Sequence, residues 1–348
     1  MNRFVFTFIC STLAATSATG VESAEKSFFA ALAMTKAQAN SSLPTDAGLF
    51  IRDDTEVHWH RFGPKVMGIR SLTVDPSDPM RIFICGGNGI LRSEDGGVTW
   101  RLVTGWEESD VHQVVVDPES PEQVYAAGIW GINISRDGGD TWMDANSGLE
   151  ENFSRMIVMD HRNPRRLLIG NGRGVYVSGD RAENWRRAGD FPEVNVTDLM
   201  QSRERANTWL ASTEGMGVYL SRNNGKTWKS VIPEAEDANM IAVAIDPLDG
   251  NRMAAGGWAV GAWVSDDGGK TWTDRTEGLP SPNVTELVFD ERIPGRLWVS
   301  TFEEGTYYSD DLGATWMDGD LDGAYVFDLG FVEMSAGVKE RQVGSGKR

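Results

Sequence analysis

A small set of polar residues at the starts of apolar strands could carry chemistry. They are three acids and three bases: Asp198, Glu286, Asp328, Arg70, His112 and Arg155. Paired carboxylic acids can act as acid and base on a glycosidic bond when they lie roughly 5–10 Å apart. The basic groups could instead bind a carboxylate or sulfate of a ligand, or pair with the acids in an inert network. The sequence leaves these uses open.

The strands that would position these residues belong to a repeat. The segment Ser-Glu-Asp-Gly-Gly-Val-Thr-Trp at residues 93–100 returns with its closing Trp at 100, 142, 185, 228, 272 and 316. The Asp or Asn of the regular copies is Asp95, Asp137, Asn223, Asp267 and Asp311. The copy at 178–185 is degenerate, because Arg181 and Glu183 stand at the glycine and lysine positions.

We interpret this motif as a structural turn. An Asp or Asn can accept bonds from nearby backbone N–H groups, and Gly supplies positive φ angles. Thr-Trp then begins the next strand, where the indole can pack over its neighbours. A catalytic role is disfavoured because an active site needs one unique constellation, whereas this motif occurs six times.

Between motifs, short apolar strands and Gly-rich turns recur, which gives four strands per repeat of roughly 43 residues. This pattern predicts an all-β fold, a seven-bladed β-propeller over residues 45–335. The chain would enter on strands at 49–53 and 58–62 and leave on one at 325–332. These ends would close the seventh blade, with its second strand drawn from 338–345. Six closed blades plus extra strands is the alternative.

The flanking regions carry other signals. Residues 1–20 resemble a secretory signal peptide, with a small-residue site at Ala18-Thr19-Gly20. Cleavage at Ala37-Gln38-Ala39, or an uncleaved anchor, are the alternatives. Residues 21–44 are predicted to be a linker or tail, and 336–348 a C-terminal tail that could supply one strand. We therefore expect a secreted or periplasmic protein without a transmembrane span once the signal is removed.

Composition narrows the partners. Lys plus Arg number 33 against 51 Asp plus Glu, so the net charge of −18 argues against nucleic acid. Two cysteines exclude a disulfide framework and a cysteine-rich zinc site. His58 and His60 lack a third ligand, and no loop has the spacing of a calcium loop. We therefore expect no metal and no other cofactor.

The motif Ser-x-Asp-x-Gly-x-Thr-Trp resembles the Asp-box, or bacterial neuraminidase repeat. Similar repeats form the propellers of sialidases, sortilin-type receptors, xyloglucan-degrading glycoside hydrolases and photosystem II assembly factors. The assembly factors are most similar in size, as single exported propellers. The xyloglucan-degrading enzymes resemble two joined propellers with one catalytic Asp from each, so a single unit could not complete that site. The resemblance implies a fold and leaves function open, since the group mixes enzymes, receptors and assembly factors.

A ligand would be expected at the mouth of the central channel, on the face opposite the Asp-box turns. Three tryptophans on that face could act as stacking platforms for a glycan or peptide: Trp106, Trp130 and Trp258. Aromatic side chains packed between blades are the alternative interpretation. We expect an exported, non-catalytic binding or assembly-factor-like propeller with a protein or glycan ligand. The alternative is a glycoside hydrolase or lyase that acts on a polysaccharide, with Asp198, Glu286 and Asp328 as its acids.

Overall fold

The chain forms seven four-stranded antiparallel sheets within the part of it that the computed structural model describes, residues 25–33, 47–52, 59–66, 68–105 and 108–334. The first strand of each sheet contacts the first strand of the next, and the seventh returns to the first. The sheets therefore surround a central channel, which confirms the seven-bladed β-propeller. The predicted signal sequence, the segment 336–348 and Trp106 lie outside the described residues.

Blades 1 to 6 follow the chain, and each runs from an inner to an outer strand. Blades 1 to 3 consist of Ile69–Asp75, Asp78–Gly86, Gly89–Ser93 and Arg101–Leu102; Val111–Val116, Val124–Gly128, Gly131–Ser135 and Met143–Asp144; and Ser154–Met159, Leu167–Asn171, Gly174–Ser178 and Arg186–Arg187. Blades 4 to 6 consist of Val196–Gln201, Trp209–Thr213, Val218–Ser221 and Lys229–Ser230; Met240–Ile245, Met253–Gly257, Gly261–Ser265 and Thr273–Asp274; and Val284–Phe289, Leu297–Thr301, Gly305–Ser309 and Met317–Asp318. A short 3₁₀ helix, Pro233–Ala235, links blades 4 and 5. No helix in the described part of the chain is long and apolar enough to cross a membrane.

Blade 7 joins the two ends of the described chain. From the channel outward its strands are Val326–Met334, Glu25–Leu32, Gly48–Arg52 and His60–Phe62. The sequence placed residues 21–44 in a linker and sought the second strand at 338–345, and on that strand the expectation was wrong. Residues 28–32 are all buried, so the strand shows no apolar-polar alternation from which it could be recognised.

The core lies between blades. Seven clusters of buried apolar side chains each combine residues of two neighbouring blades. Between blades 6 and 7, Phe28 packs on Trp59, Trp298 and Phe331 with ring centroids 4.7–5.1 Å apart. Because each sheet is covered on both faces by its neighbours, the ring holds its shape and fixes which side chains reach the channel.

The Asp-box side chains close their turns with hydrogen bonds. Asp137 accepts bonds from Ser135 Oγ, from the backbone N–H groups of Asp140 and Thr141, and from Thr141 Oγ1, at 2.6–3.0 Å. These donors lower the pKa of Asp137 to about 2. The degenerate copy keeps the arrangement, because Asn184 donates its backbone and side-chain N–H groups to Asp180 at 3.0 Å.

Arg181 has a structural use that the repeat comparison missed. In blades 1, 3 and 5 a buried Asp at the end of the inner strand, or directly after it, pairs with an Arg six residues later, as Asp75 does with Arg81. Blade 2 has Gln123 at that position. There Arg181, in the left-handed region with φ 62°, reaches back from blade 3, and its Nε lies 2.9 Å from Oδ2 of the fully buried Asp117.

Candidate functional site

The inner strands share a bulge that sets the layout of the channel. In blades 1 to 6 the second residue of the inner strand is skipped in the pairing with the second strand. Arg70, His112 and Arg155 are the skipped residues of blades 1, 2 and 3. The structure therefore brings these three side chains together, on consecutive blades, near the end of the channel opposite the Asp-box turns.

Two of these three basic side chains, Arg70 and His112, share one acidic neighbour, Asp110. Asp110 Oδ1 lies 3.1 Å from a terminal nitrogen of Arg70 and 3.7 Å from Nε2 of His112. Burial lowers the pKa of His112 to about 4, and the charges of Arg70 and Arg155 act in the same direction, so the imidazole is neutral near pH 7. Asp110 stands two residues before His112 in the link between blades 1 and 2, and its sequence context gave no signal of this contact.

Arg155 differs from Arg70 in its partners. No carboxylate among the described residues lies within ion-pair distance of Arg155, and its Nε is buried without a hydrogen-bond acceptor. Its guanidinium lies 5.9 Å from the ring centre of Phe153, which also meets the His112 ring edge to face. The arrangement therefore leaves the Arg155 guanidinium at the channel mouth, where it can bind an anionic group.

The three acids occupy the next position of the inner strand. Asp198, Glu286 and Asp328 each stand where the pairing with the second strand resumes. No ion pair joins them to Arg70, His112 or Arg155 in the described structure, so the inert cross-channel network is not formed.

Backbone groups hold the acids in the channel. Asp198 Oδ2 accepts a hydrogen bond from the backbone N–H of Val243 in blade 5 at 2.8 Å. In blade 2, Gln113 Oε1 accepts a hydrogen bond from the backbone N–H of Ile157 in blade 3 at 2.8 Å. A neutral Gln makes the same link between blades, so this contact does not require a carboxylate. Glu286 Oε1 accepts the N–H of Leu287 at 3.0 Å.

Burial and mutual repulsion favour the protonated acids. Burial raises the pKa of Asp328 to about 7, and the charge of Asp198 adds to this. Burial, together with the charges of Asp198 and Asp328, raises the pKa of Glu286 well above its usual value. Burial also raises the pKa of Asp198. The described residues contain no cluster of three or more His, Cys, Asp or Glu side chains arranged to hold a metal ion.

The predicted platforms separate into different environments. Trp130 and Trp258 stand on turns between second and third strands and are 55% and 45% exposed. Trp258 meets Phe302 edge to face at 5.1 Å, and Phe302 contacts Tyr325 in turn at 5.2 Å. Trp130 has no ring contact among the described residues.

Blade 7 continues this aromatic path to the basic group. Tyr325 packs on Phe327 with ring centres 4.8 Å apart, and the Arg70 guanidinium lies 5.5 Å from the centre of the Phe327 ring. The sequence had not singled out these two aromatics or Phe302. A wall of four rings therefore leads from the exposed Trp258 across blades 5 to 7 to the channel mouth.

Comparisons with known proteins agree on the architecture. A family model described as Sortilin-Vps10 (sortilin, neurotensin receptor 3) matches residues 216–322, less than a third of the chain. The fold is an Asp-box β-propeller. A search of curated protein sequences finds no match.

Several solved structures contain similar propellers. The GH74 enzyme of Niastella koreensis is 20% identical with a TM-score of 0.66, over 77% of this chain and 50% of the enzyme. YCF48 bound to D1 peptide is 19% identical with a TM-score of 0.56, over 74% and 83%. The extracellular domain of a putative one-component system from B. thetaiotaomicron is 15% identical with a TM-score of 0.58, over 83% and 39%. This propeller spans half the length of the Niastella enzyme, and at these identities the likeness concerns the fold alone.

Proposed function

We propose that this propeller is an exported, non-catalytic binding protein that takes a protein or glycan ligand at the channel mouth, through an anionic group of the ligand. The observation that carries the proposal is Arg155, a channel-mouth cation without a carboxylate partner in the described structure. A guanidinium in such a position gains most from a carboxylate or sulfate, which it can bind in two parallel hydrogen bonds. The predicted signal at residues 1–20 supports a location outside the cytoplasm.

The aromatic wall supplies the second part of the site. Trp258 is 45% exposed and lies at the outer end of the four-ring wall, so it offers an apolar surface to the remainder of the ligand. Such a surface suits a sugar ring or an apolar side chain, because aromatic faces and edges attract C–H groups. We expect the anionic group to contact Arg155 and the apolar part to cover Trp258.

A peptide and glycan array tests the proposal. Arrays of peptides with free or amidated C-termini, and of oligosaccharides with or without acidic sugars, would be probed with the wild type and with Arg155→Gln. We expect hits among the anionic members that Arg155→Gln weakens at least tenfold. Arg187→Gln is the control, since Arg187 is an arginine of the same blade that pairs with Glu193 on the outer side. Hits that Arg155→Gln leaves unchanged would overturn the proposal.

A glycoside hydrolase is the second candidate, and the raised pKa values of Glu286 and Asp328 favour it. A general acid must hold its proton near neutral pH, which these two side chains would do. The fold is also shared with a GH74 enzyme. Asp198 is less suited to a catalytic role, because its carboxylate already accepts the backbone N–H of Val243. Release of reducing ends from a panel of polysaccharides, lost in Asp328→Asn, would favour the enzyme over the binding protein.

A further inference from the structure

Blades 3 and 4 carry a charge opposite to that of the rest of the chain. Residues 154–230, from the first to the last strand of these two blades, contain thirteen Lys and Arg against eight Asp and Glu, a net charge of +5. The whole chain has a net charge of −18. Blades 3 and 4 therefore form a basic sector in an otherwise strongly acidic propeller.

Several cations of this sector are free on the surface. Five are exposed and have neither a carboxylate within ion-pair distance nor a side-chain hydrogen bond among the described residues: Arg162, Arg165, Arg186, Lys226 and Lys229. Arg222 is also exposed without an ion pair, but its guanidinium donates to the carbonyl of Gly268. All five stand in the turns of the Asp-box face or directly after the Asp-box Trp. We call these five residues the basic patch. It lies on the face opposite the channel mouth discussed above.

Backbone and side-chain contacts make the patch continuous. The Asp-box turn of blade 3 donates the N–H of Arg181 to the carbonyl of Arg165 at 2.9 Å. Arg166 of blade 3 donates to the side-chain and backbone oxygens of Asn224 in the blade 4 turn, at 2.9 and 2.7 Å. Arg165 and Lys226 are therefore held on adjoining turns of two packed blades.

The departures from the repeat add to the positive charge. Blade 4 has the neutral Asn223 where the regular motif has Asp, and blade 3 has Arg181 where it has Gly. The motifs of all blades except blade 4 and the closing blade 7 carry a further exposed acid besides the motif Asp: Glu94, Asp140, Glu183, Asp266 and Asp310. In blade 3 this acid, Glu183, pairs with Arg136 of blade 2. The blade 4 motif, which has Arg222 and Lys226 and no acid, is therefore the one motif of the six with a net positive charge.

We propose that the basic patch of blades 3 and 4 is a second binding surface, which takes an acidic segment of a partner protein. A lipid bilayer with anionic headgroups would also approach the acidic motifs of the flanking blades, which it would repel. A nucleic acid duplex meets the same repulsion along its length. A short segment rich in Asp and Glu can contact two blades and avoid the others. With the channel mouth on the opposite face, the propeller could hold two partners at once.

The repeat supplies a matched control for the test. Arg186→Gln with Lys226→Gln removes two cations of the patch. Arg101→Gln with Lys270→Gln removes two exposed cations at the same motif positions in blades 1 and 5. Both double variants change the net charge equally, so any difference between them reports the position of the charges and not their number.

The probe is a fluorescent ten-residue polyglutamate peptide, with polyglutamine as the uncharged control, followed by anisotropy at low ionic strength. We expect saturable binding of polyglutamate to the wild type. Its affinity should fall about tenfold in the patch variant and less than twofold in the control variant, and it should fall steeply with added salt. Equal weakening in both variants, or no binding to the wild type, would overturn the proposal.

Two further probes distinguish an acidic protein segment from other anionic partners. They are phosphatidylcholine vesicles with one-fifth phosphatidylserine, and a duplex DNA of mixed sequence. We expect neither to bind as tightly as polyglutamate. Tighter binding of vesicles or of DNA through the patch would reject the protein segment in favour of that class. Dimerisation that the patch variant abolishes, seen by sedimentation, would assign the surface to a second copy of this chain and reject a separate partner.

Discussion

Replacing Arg181 by the glycine of the regular motif should destabilise the protein, although it restores the repeat. The substitution has two opposing effects. Glycine removes the strain of the left-handed backbone conformation at φ 62°, which costs roughly 1 kcal/mol for a residue with a side chain. It also removes the guanidinium whose Nε lies 2.9 Å from Oδ2 of Asp117, a carboxylate with no exposed surface.

The loss of the ion pair should exceed the relief of strain. Removing one partner of a buried pair costs about 3–5 kcal/mol, because the other charge is left buried. Asp117 still accepts the backbone N–H of Glu119 at 2.9 Å, and the Arg181 side chain is 22% exposed. These features place the cost near the lower end of that range. After roughly 1 kcal/mol of relieved backbone strain is subtracted, we expect Arg181→Gly to lower the free energy of unfolding by about 2 kcal/mol.

Chemical denaturation of the wild type and Arg181→Gly measures this difference, with a fall in Tm of several degrees as a second readout. A rescue variant separates ion-pair loss from backbone effects. Gln123→Arg added to Arg181→Gly places an arginine six residues after Asp117, as Arg81 follows Asp75 in blade 1, and should restore most of the stability. A glycine variant as stable as the wild type, or a double variant no better than the single one, would refute the reasoning.

Three further predictions concern the channel, the Asp-box turns and the closing blade. Asp328, with its pKa raised to about 7, binds a proton in the folded state at pH values where the unfolded chain has released it, so stability should fall as pH rises from about 4 to 7. Asp328→Asn should reduce this pH dependence of stability, measured by urea unfolding at several pH values. An unchanged pH dependence would count against the raised pKa of Asp328. Asp137→Ala should lower the free energy of unfolding by about 1–3 kcal/mol through lost turn hydrogen bonds, without changing ligand affinity once only folded protein is compared. Phe28→Ala should cost about 3–5 kcal/mol, because the fully buried ring fills the seam between blades 6 and 7; a loss below about 1 kcal/mol in thermal or urea unfolding would contradict the place of this strand in blade 7.

The sequence determined the architecture because repetition makes local signals consistent. Six copies of one turn motif, each ending in Trp, set the length of the repeat and the number of strands in it. Each copy forms its turn from neighbouring residues, as Asp137 does with Ser135 and Thr141. Such hydrogen bonds need no information from distant parts of the chain, so they can be read from a single segment. The equivalent positions of Arg70, His112 and Arg155 followed from the same repeat.

Tertiary structure alone decided the contacts that join distant segments. The strand Glu25–Leu32 pairs with Val326–Met334, about 300 residues away, and its burial on both faces removed the alternation by which strands are recognised. Arg181 pairs with Asp117 across a blade boundary because its backbone takes a left-handed turn. The free guanidinium of Arg155 depends on where Asp110 lies, and that position is set by how neighbouring blades pack. These features arise from packing between repeats, which the pattern within one repeat does not encode.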